Sequence, residues 1–162
     1  GQDGTDTLRF NGANIAENID LSANGGRLRF TRDVASVIMD TNDVEKVEFH
    51  AFGGADTVTV HDLSGTGVTN VAVDLEAAPV GSATGDGAAD TVVVEGTSGV
   101  DAITVSGNSS VLVAGLVPTV RIFHPEFAND QLDINTLAGT DTVDSGDLAP
   151  GVIQLFVDGV PQ

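Results

Sequence analysis

Seven aspartates sit in glycine-rich corners just ahead of apolar residues: Asp3, Asp6, Asp56, Asp86, Asp90, Asp101 and Asp141. The fullest corners are Gly1-Gln2-Asp3-Gly4-Thr5-Asp6-Thr7-Leu8-Arg9 and Gly96-Thr97-Ser98-Gly99-Val100-Asp101-Ala102-Ile103-Thr104. Shorter echoes stand at 53–58, 85–92 and 139–143. This is oxygen-ligand chemistry. Calcium takes about six to eight hard oxygens at flexible geometry, and aspartate supplies both oxygen and charge. Glycines let the corner bend until backbone carbonyls face an ion. The same aspartates also have a purely structural use, because their side chains accept backbone N–H groups at turns. Both uses remain open for all seven. No two strict corners are adjacent in the chain, so a lone corner supplies about half a coordination shell. The expectation is therefore Ca2+ at few or weak sites.

Other chemistry is thinly represented. His50, His61 and His124 show no metal-ligand spacing beyond the eleven positions between His50 and His61, and solvated or packed roles are expected for them. Carboxylate pairs such as Asp130/Asp133 and Asp144/Asp147 have the residue types of glycoside hydrolysis, but Asp-rich corners generate such pairs by accident. With no Trp or Tyr in the chain, flat sugar-gripping surfaces are missing. No G-x-S-x-G elbow occurs. The protein is not expected to be an enzyme.

The chain has 162 residues with 24 acids, of which 18 are Asp, against 6 bases, giving a net charge of −18. A surface this acidic repels nucleic acid phosphates and anionic membranes. Apolar runs are short, so no membrane insertion is expected either. Cysteine is absent, which removes disulfides and thiolate metal sites. Arg27, Arg29 and Arg32 form a small basic strip that is expected to neutralise Asp20, Asp33 and Asp40 locally.

The corners must be held by short strands. Apolar pairs two apart recur at Leu8/Phe10, Ile19/Leu21, Leu28/Phe30, Val37/Met39, Val47/Phe49, Val58/Val60 and Val71/Val73. The same series returns as Val92/Val94, Ile103/Val105, Val111/Val113, Val120/Ile122, Leu132/Ile134, Val143 and Leu155/Val157. Alternation of this kind marks strands with one buried face. Segments also repeat at an offset of about 84: Asp6-Thr7-Leu8 returns as Asp90-Thr91-Val92, Asp56-Thr57-Val58 as Asp141-Thr142-Val143, and Val73-Asp74 as Val157-Asp158. The spacing predicts an all-β chain of two units, 1–84 and 85–162, forming one continuous parallel β-solenoid (a β-roll or β-helix) with an internal duplication. A duplicated β-sandwich is the alternative. The solenoid is preferred because the glycine clusters are read as corners of stacked coils and not as Asn-Gly or Asp-Gly hairpin turns. At most one helical turn is expected, between Asp40 and Glu48.

The two nine-residue corners fit the G-G-x-G-x-D-x-(apolar)-x pattern with a single departure each, the second glycine. On these motifs, and on the wording of 6–26 and 128–143, the sequence resembles the hemolysin-type calcium-binding (RTX-like) secreted proteins of bacteria. The likeness is to the irregular β segment flanking their nonapeptide arrays. That resemblance implies a bacterial secreted, extracellular setting, often reached by a type I secretion route, a parallel β-roll or β-helix, and calcium at the corner aspartates.

The functional expectation is an extracellular, calcium-binding structural or spacer module of a larger protein, its folding coupled to calcium. Its partners would be calcium and the neighbouring domains or repeats of the parent chain. Two other readings are an adhesive or self-assembling β module that associates end to end, and a metal-free acidic β scaffold.

Overall fold

Alternating apolar residues on Val-, Ile-, Thr- and Phe-rich segments produce fifteen strands among the described residues, 3–162 of the computed structural model. In chain order they are β1 (Thr7–Asn11), β2 (Asn18–Asn24), β3 (Arg27–Arg32), β4 (Val37–Thr41), β5 (Lys46–His50), β6 (Thr57–Val60), β7 (Asn70–Asp74) and β8 (Thr91–Glu95). There follow β9 (Ala102–Gly107), β10 (Ser110–Ala114), β11 (Thr119–Phe123), β12 (Gln131–Asn135), β13 (Thr142–Leu148), β14 (Gln154–Val157) and β15 (Val160–Pro161). The helical content is one 3-10 turn, Val34–Ser36, and the segment between Asp40 and Glu48 holds no helix. Gly1 and Gln2, the start of the first nine-residue corner, lie outside the described residues.

The strands form two mixed sheets. One runs β1-β5-β7-β11-β10-β9-β13 and the other β15-β14-β12-β8-β6-β2-β3-β4. Parallel pairing joins β1 to β5, β5 to β7, β7 to β11 and β9 to β13 in the first sheet. In the second it joins β2 to β6, β6 to β8, β8 to β12 and β12 to β14. The remaining pairings are antiparallel: β2–β3, β3–β4, β9–β10, β10–β11 and β14–β15.

These antiparallel pairs correct the expectation that the corners are not hairpins. Asn24-Gly25-Gly26-Arg27 closes β2 onto β3, with Asn24 opposite Arg27 and Gly25 at φ 62°. Asp158-Gly159 closes β14 onto β15, with both residues at positive φ. Two-residue turns with left-handed backbone match the twist of antiparallel strands, so Gly25-Gly26 and Asp158-Gly159 act here as hairpin turns.

Pairings within residues 1–84 have counterparts within 85–162. The β1–β5 pair corresponds to β8–β12, β2–β6 to β9–β13, and β5–β7 to β12–β14. The β2-β3-β4 meander corresponds to β9-β10-β11. Corresponding strands lie in opposite sheets, so the segment after Asp6 enters one sheet and the segment after Asp90 the other. The β6–β8 and β7–β11 pairs join the two halves.

Inward side chains of both sheets merge into one apolar cluster that includes Ile19, Leu21, Phe30, Phe49, Val92, Ile103, Ile122 and Leu132. Phe10 of the first sheet reaches across to Phe30 of the second at a ring-centroid distance of 4.9 Å. Each such side chain contributes roughly 1.5–3 kcal/mol on full burial. Outward positions alternate with these and carry much of the charge, which fixes each strand's register and leaves its ends to position the acids.

Candidate metal-binding sites

The residue just before each strand is where the acids gather. Glu17, Asp56, Asp90 and Asp130 precede β2, β6, β8 and β12, four neighbours in one sheet, and all four are buried. The first three each donate their backbone N–H to the carboxylate of the next. Glu17 N donates to Asp56 Oδ1 (2.7 Å), Asp56 N to Asp90 Oδ1 (2.8 Å) and Asp90 N to Asp130 Oδ1 (3.1 Å). Asp130 Oδ2 accepts Glu126 N at 2.7 Å. The opposite sheet uses the same device, with Asp6 N on Glu45 Oε2 (2.7 Å) and Asp101 N on Asp141 Oδ1 (2.9 Å). A carboxylate at this position completes the hydrogen bonding of N–H groups that enter the sheet with no strand carbonyl opposite, which is costly to leave undone once buried.

Burial has an electrostatic cost. Desolvation, with the negative charges of neighbouring acids added to it, pushes Asp56 up to about 8 and Asp90 up to about 7, and raises Asp130. Asp86 and Glu126 contribute to that field. They are also backbone acceptors: Gly54 N donates to Asp86 Oδ2 (2.9 Å) and Gly87 N to Glu126 Oε2 (2.7 Å). Asp56 Oδ2 is buried without a hydrogen-bond partner.

Of the seven aspartates expected to ligate calcium, Asp56, Asp86, Asp90, Asp101 and Asp141 thus accept backbone N–H groups. The backbone of Asp6 is held by Glu45, and Asp3 is exposed before β1. Glycine makes the corner fit. A Cβ on Gly96 would stand 2.8 Å from Asp101 Oδ2 and 2.9 Å from Thr136 O, and one on Gly12 would stand 2.3 Å from Glu17 Oε2 and 2.8 Å from Ala51 O. Gly96→Ala is therefore expected to cost about 1–3 kcal/mol in a urea melt. Gly26→Ala, whose Cβ meets nothing closer than 3.8 Å, is the comparison and should cost much less.

Basic residues are used in part as expected. Arg27 pairs with Asp40, but Arg32 pairs with the buried Glu17 and not with Asp33. Asp33 instead accepts Asn18 N at 2.8 Å and caps the 3-10 turn at Val34.

Among the described residues, three ligating side chains converge within 4.8 Å at His50, Asp74 and Glu76. His50 ends β5, Asp74 ends the adjacent β7, and Glu76 follows two residues later. His50 Nδ1 lies 3.6 Å from Glu76 Oε1 and 3.7 Å from Asp74 Oδ2. That nitrogen is buried with no hydrogen-bond partner. His124, just beyond β11, places Nδ1 2.6 Å from Asp74 Oδ1. Gly81 N and Ala83 N donate to Glu76 (2.8 and 3.1 Å), and the Gly81 bond leads the causes that lower its pKa. His61 is elsewhere, between Asp20 and Glu95 at 2.6 Å each. From the sequence, the eleven positions between His50 and His61 are the one spacing of note, and solvated or packed roles are expected for all three histidines. Parallel pairing of β5, β7 and β11 instead brings His50 and His124 to Asp74.

An all-β, two-sheet protein with acid-lined strand ends is the class that fold and site define. No family model matches the chain, and comparison with curated proteins and with solved structures found no match. No helix among the described residues is long and apolar enough to cross a membrane.

Proposed function

We propose that this chain is a non-catalytic structural module of a larger secreted protein, an internally duplicated β-solenoid interrupted by hairpins. The observation that carries this reading is the row Glu17–Asp56–Asp90–Asp130. Its steps of 39, 34 and 40 residues each carry one carboxylate and one backbone N–H to the next parallel strand, as successive coils of a solenoid require. Strand pairings shared by 1–84 and 85–162 support the duplication. The extracellular setting rests on the resemblance to hemolysin-type proteins. Calcium enters through oxygen coordination at the acid-lined strand ends: with a net charge of −18, calcium held there relieves repulsion in the folded state and so couples to folding.

At the β13 and β15 edges a spacer reading fits better than a self-assembling one. Edge strand β13 carries Asp144 and Asp147 with a register break between them, and edge strand β15 has two residues, one of them Pro161. Charge, bulges and proline at edges oppose strand addition by another chain.

The test is a melting curve by circular dichroism in chelator, in calcium and in magnesium, at constant ionic strength. Saturating a calcium site about a hundredfold above its Kd adds about 2.7 kcal/mol, which for this size raises the midpoint by roughly 5–10 °C. That rise, specific to calcium, is the expected result. An equal response to magnesium would overturn calcium coupling in favour of the metal-free acidic scaffold.

A further inference from the structure

We propose that His50, Asp74 and Glu76 bind one divalent first-row transition ion of the zinc class, with His124 orienting Asp74 from behind. Tetrahedral zinc with ligand bonds of about 2.0–2.1 Å separates its ligand atoms by about 3.3–3.4 Å. His50 Nδ1 already stands 3.6 and 3.7 Å from the two carboxylate oxygens, so small side-chain adjustments close the set around an ion.

Hydrogen bonding alone leaves this arrangement unexplained. At those distances His50 Nδ1 makes no hydrogen bond to either carboxylate, and a buried polar nitrogen without a partner is costly. An ion between the three groups satisfies all of them at once. The carboxylates are also held as ligands usually are. Asp74 Oδ1 is engaged by His124 at 2.6 Å, which leaves Oδ2 facing His50. Glu76 is fixed by Gly81 N and Ala83 N. Imidazole nitrogen with two carboxylates suits zinc and its neighbours and not calcium, which prefers more oxygens.

The ligand set is not a by-product of strand-end geometry. The corresponding places, at the end of β12, just past β14 and on β15, hold Asn135, Asp158 and Val160, and Asp158 there accepts Thr136 N at 2.9 Å. His124 follows β11 in the second half, whereas the other three residues belong to the first. The His124–Asp74 contact that orients the ligand therefore crosses the β7–β11 seam where the halves meet.

Isothermal titration of the chelator-treated intact chain with zinc chloride tests this, with excess calcium present. One zinc per chain is expected. His124→Asn should weaken binding about 10–100-fold, as loss of an outer hydrogen bond to a ligand does. His50→Ala should weaken it further, and His61→Ala should leave it unchanged. Cobalt substituted for zinc should give visible absorption bands that His50→Ala abolishes. Absence of zinc binding by the native chain, or unchanged binding in His50→Ala, overturns the proposal. If His50→Ala does not fold, ring nitrogen shifts of His50 in the native protein decide. A zinc-induced shift supports the site and none rejects it. The calcium-coupled reading can fail without affecting this outcome, because His50, Asp74 and Glu76 are not members of the acid row and the titration is made in excess calcium.

Discussion

Arg32→Ala is expected to destabilise the protein by about 3–5 kcal/mol, the range for breaking a buried ion pair from one side. Arg32 ends β3 with its side chain 13% exposed, and its guanidinium holds Oε1 of Glu17, whose side chain is 0% exposed. The other Glu17 oxygen accepts Ala13 N, at 3.0 Å. Removing Arg32 leaves a carboxylate at the start of the acid row with neither solvent nor a cation, and uncovers the Phe10 ring that the guanidinium lies over at 5.6 Å. A midpoint drop of roughly 10 °C follows for a chain of this size. The exposed Arg9–Glu48 pair provides the contrast, since Arg9→Ala should cost about 0–1 kcal/mol. Pairing Arg32→Met with Glu17→Gln removes both charges while keeping the acceptor for Ala13 N. The double variant should recover much of the loss, and if it fell as far as Arg32→Ala the ion pair would not be the cause.

The strands were largely legible because a half-buried strand must alternate. Ile19/Leu21, Val58/Val60 and Leu132/Ile134 are buried pairs read from spacing alone. Leu8/Phe10 and Val37/Met39 lie on edge strands β1 and β4 and are only partly covered. Hairpins were misread although Gly25-Gly26 and Asp158-Gly159 stand in the chain, because a glycine-rich corner and a hairpin turn use the same residues. Which sheet a strand joins is not legible at all. The similarity between 6–12 and 90–96 reflects identical local demands, whereas their opposite placement depends on pairings tens of residues away. The same limit hid the acid partners. Asp90 lies eleven positions from Asp101 along the chain, but its contacts are Asp56 and Asp130, 34 and 40 positions away. His50 likewise meets Asp74 and His124 through sheet order and not through any spacing motif.

Acidification from pH 8 to pH 5 is expected to raise the melting midpoint by roughly 5–10 °C, opposite to the usual acid weakening of carboxylate-rich proteins. The sign follows from the buried row. Asp56 and Asp90, at about 8 and about 7 when folded, titrate near 3.9 in the unfolded chain. Between about pH 4 and pH 8 the folded state therefore binds more protons, so stability falls as pH rises through that window and levels off above it. Asp130 and Asp133 are raised by burial and act in the same direction. His61, held up by Asp20 and Glu95 against its own desolvation, adds stability at low pH that is lost as pH rises through its folded value. Asp33, Asp40 and Glu76 work the other way, being lowered by hydrogen bonds to Asn18, Arg27 and Gly81 respectively. Their contribution is complete above about pH 4 and is lost only below it, which places the optimum near pH 5. Asp56→Asn isolates the row. Asparagine keeps an Oδ1 acceptor for Glu17 N but cannot ionise, so the variant should exceed the native protein in midpoint at pH 8 and lose that advantage by pH 5. Asp3→Asn removes the same formal charge from an exposed site and should leave the pH slope intact. If Asp56→Asn kept the native pH slope, the buried row would not be its source, and general charge repulsion would account for it.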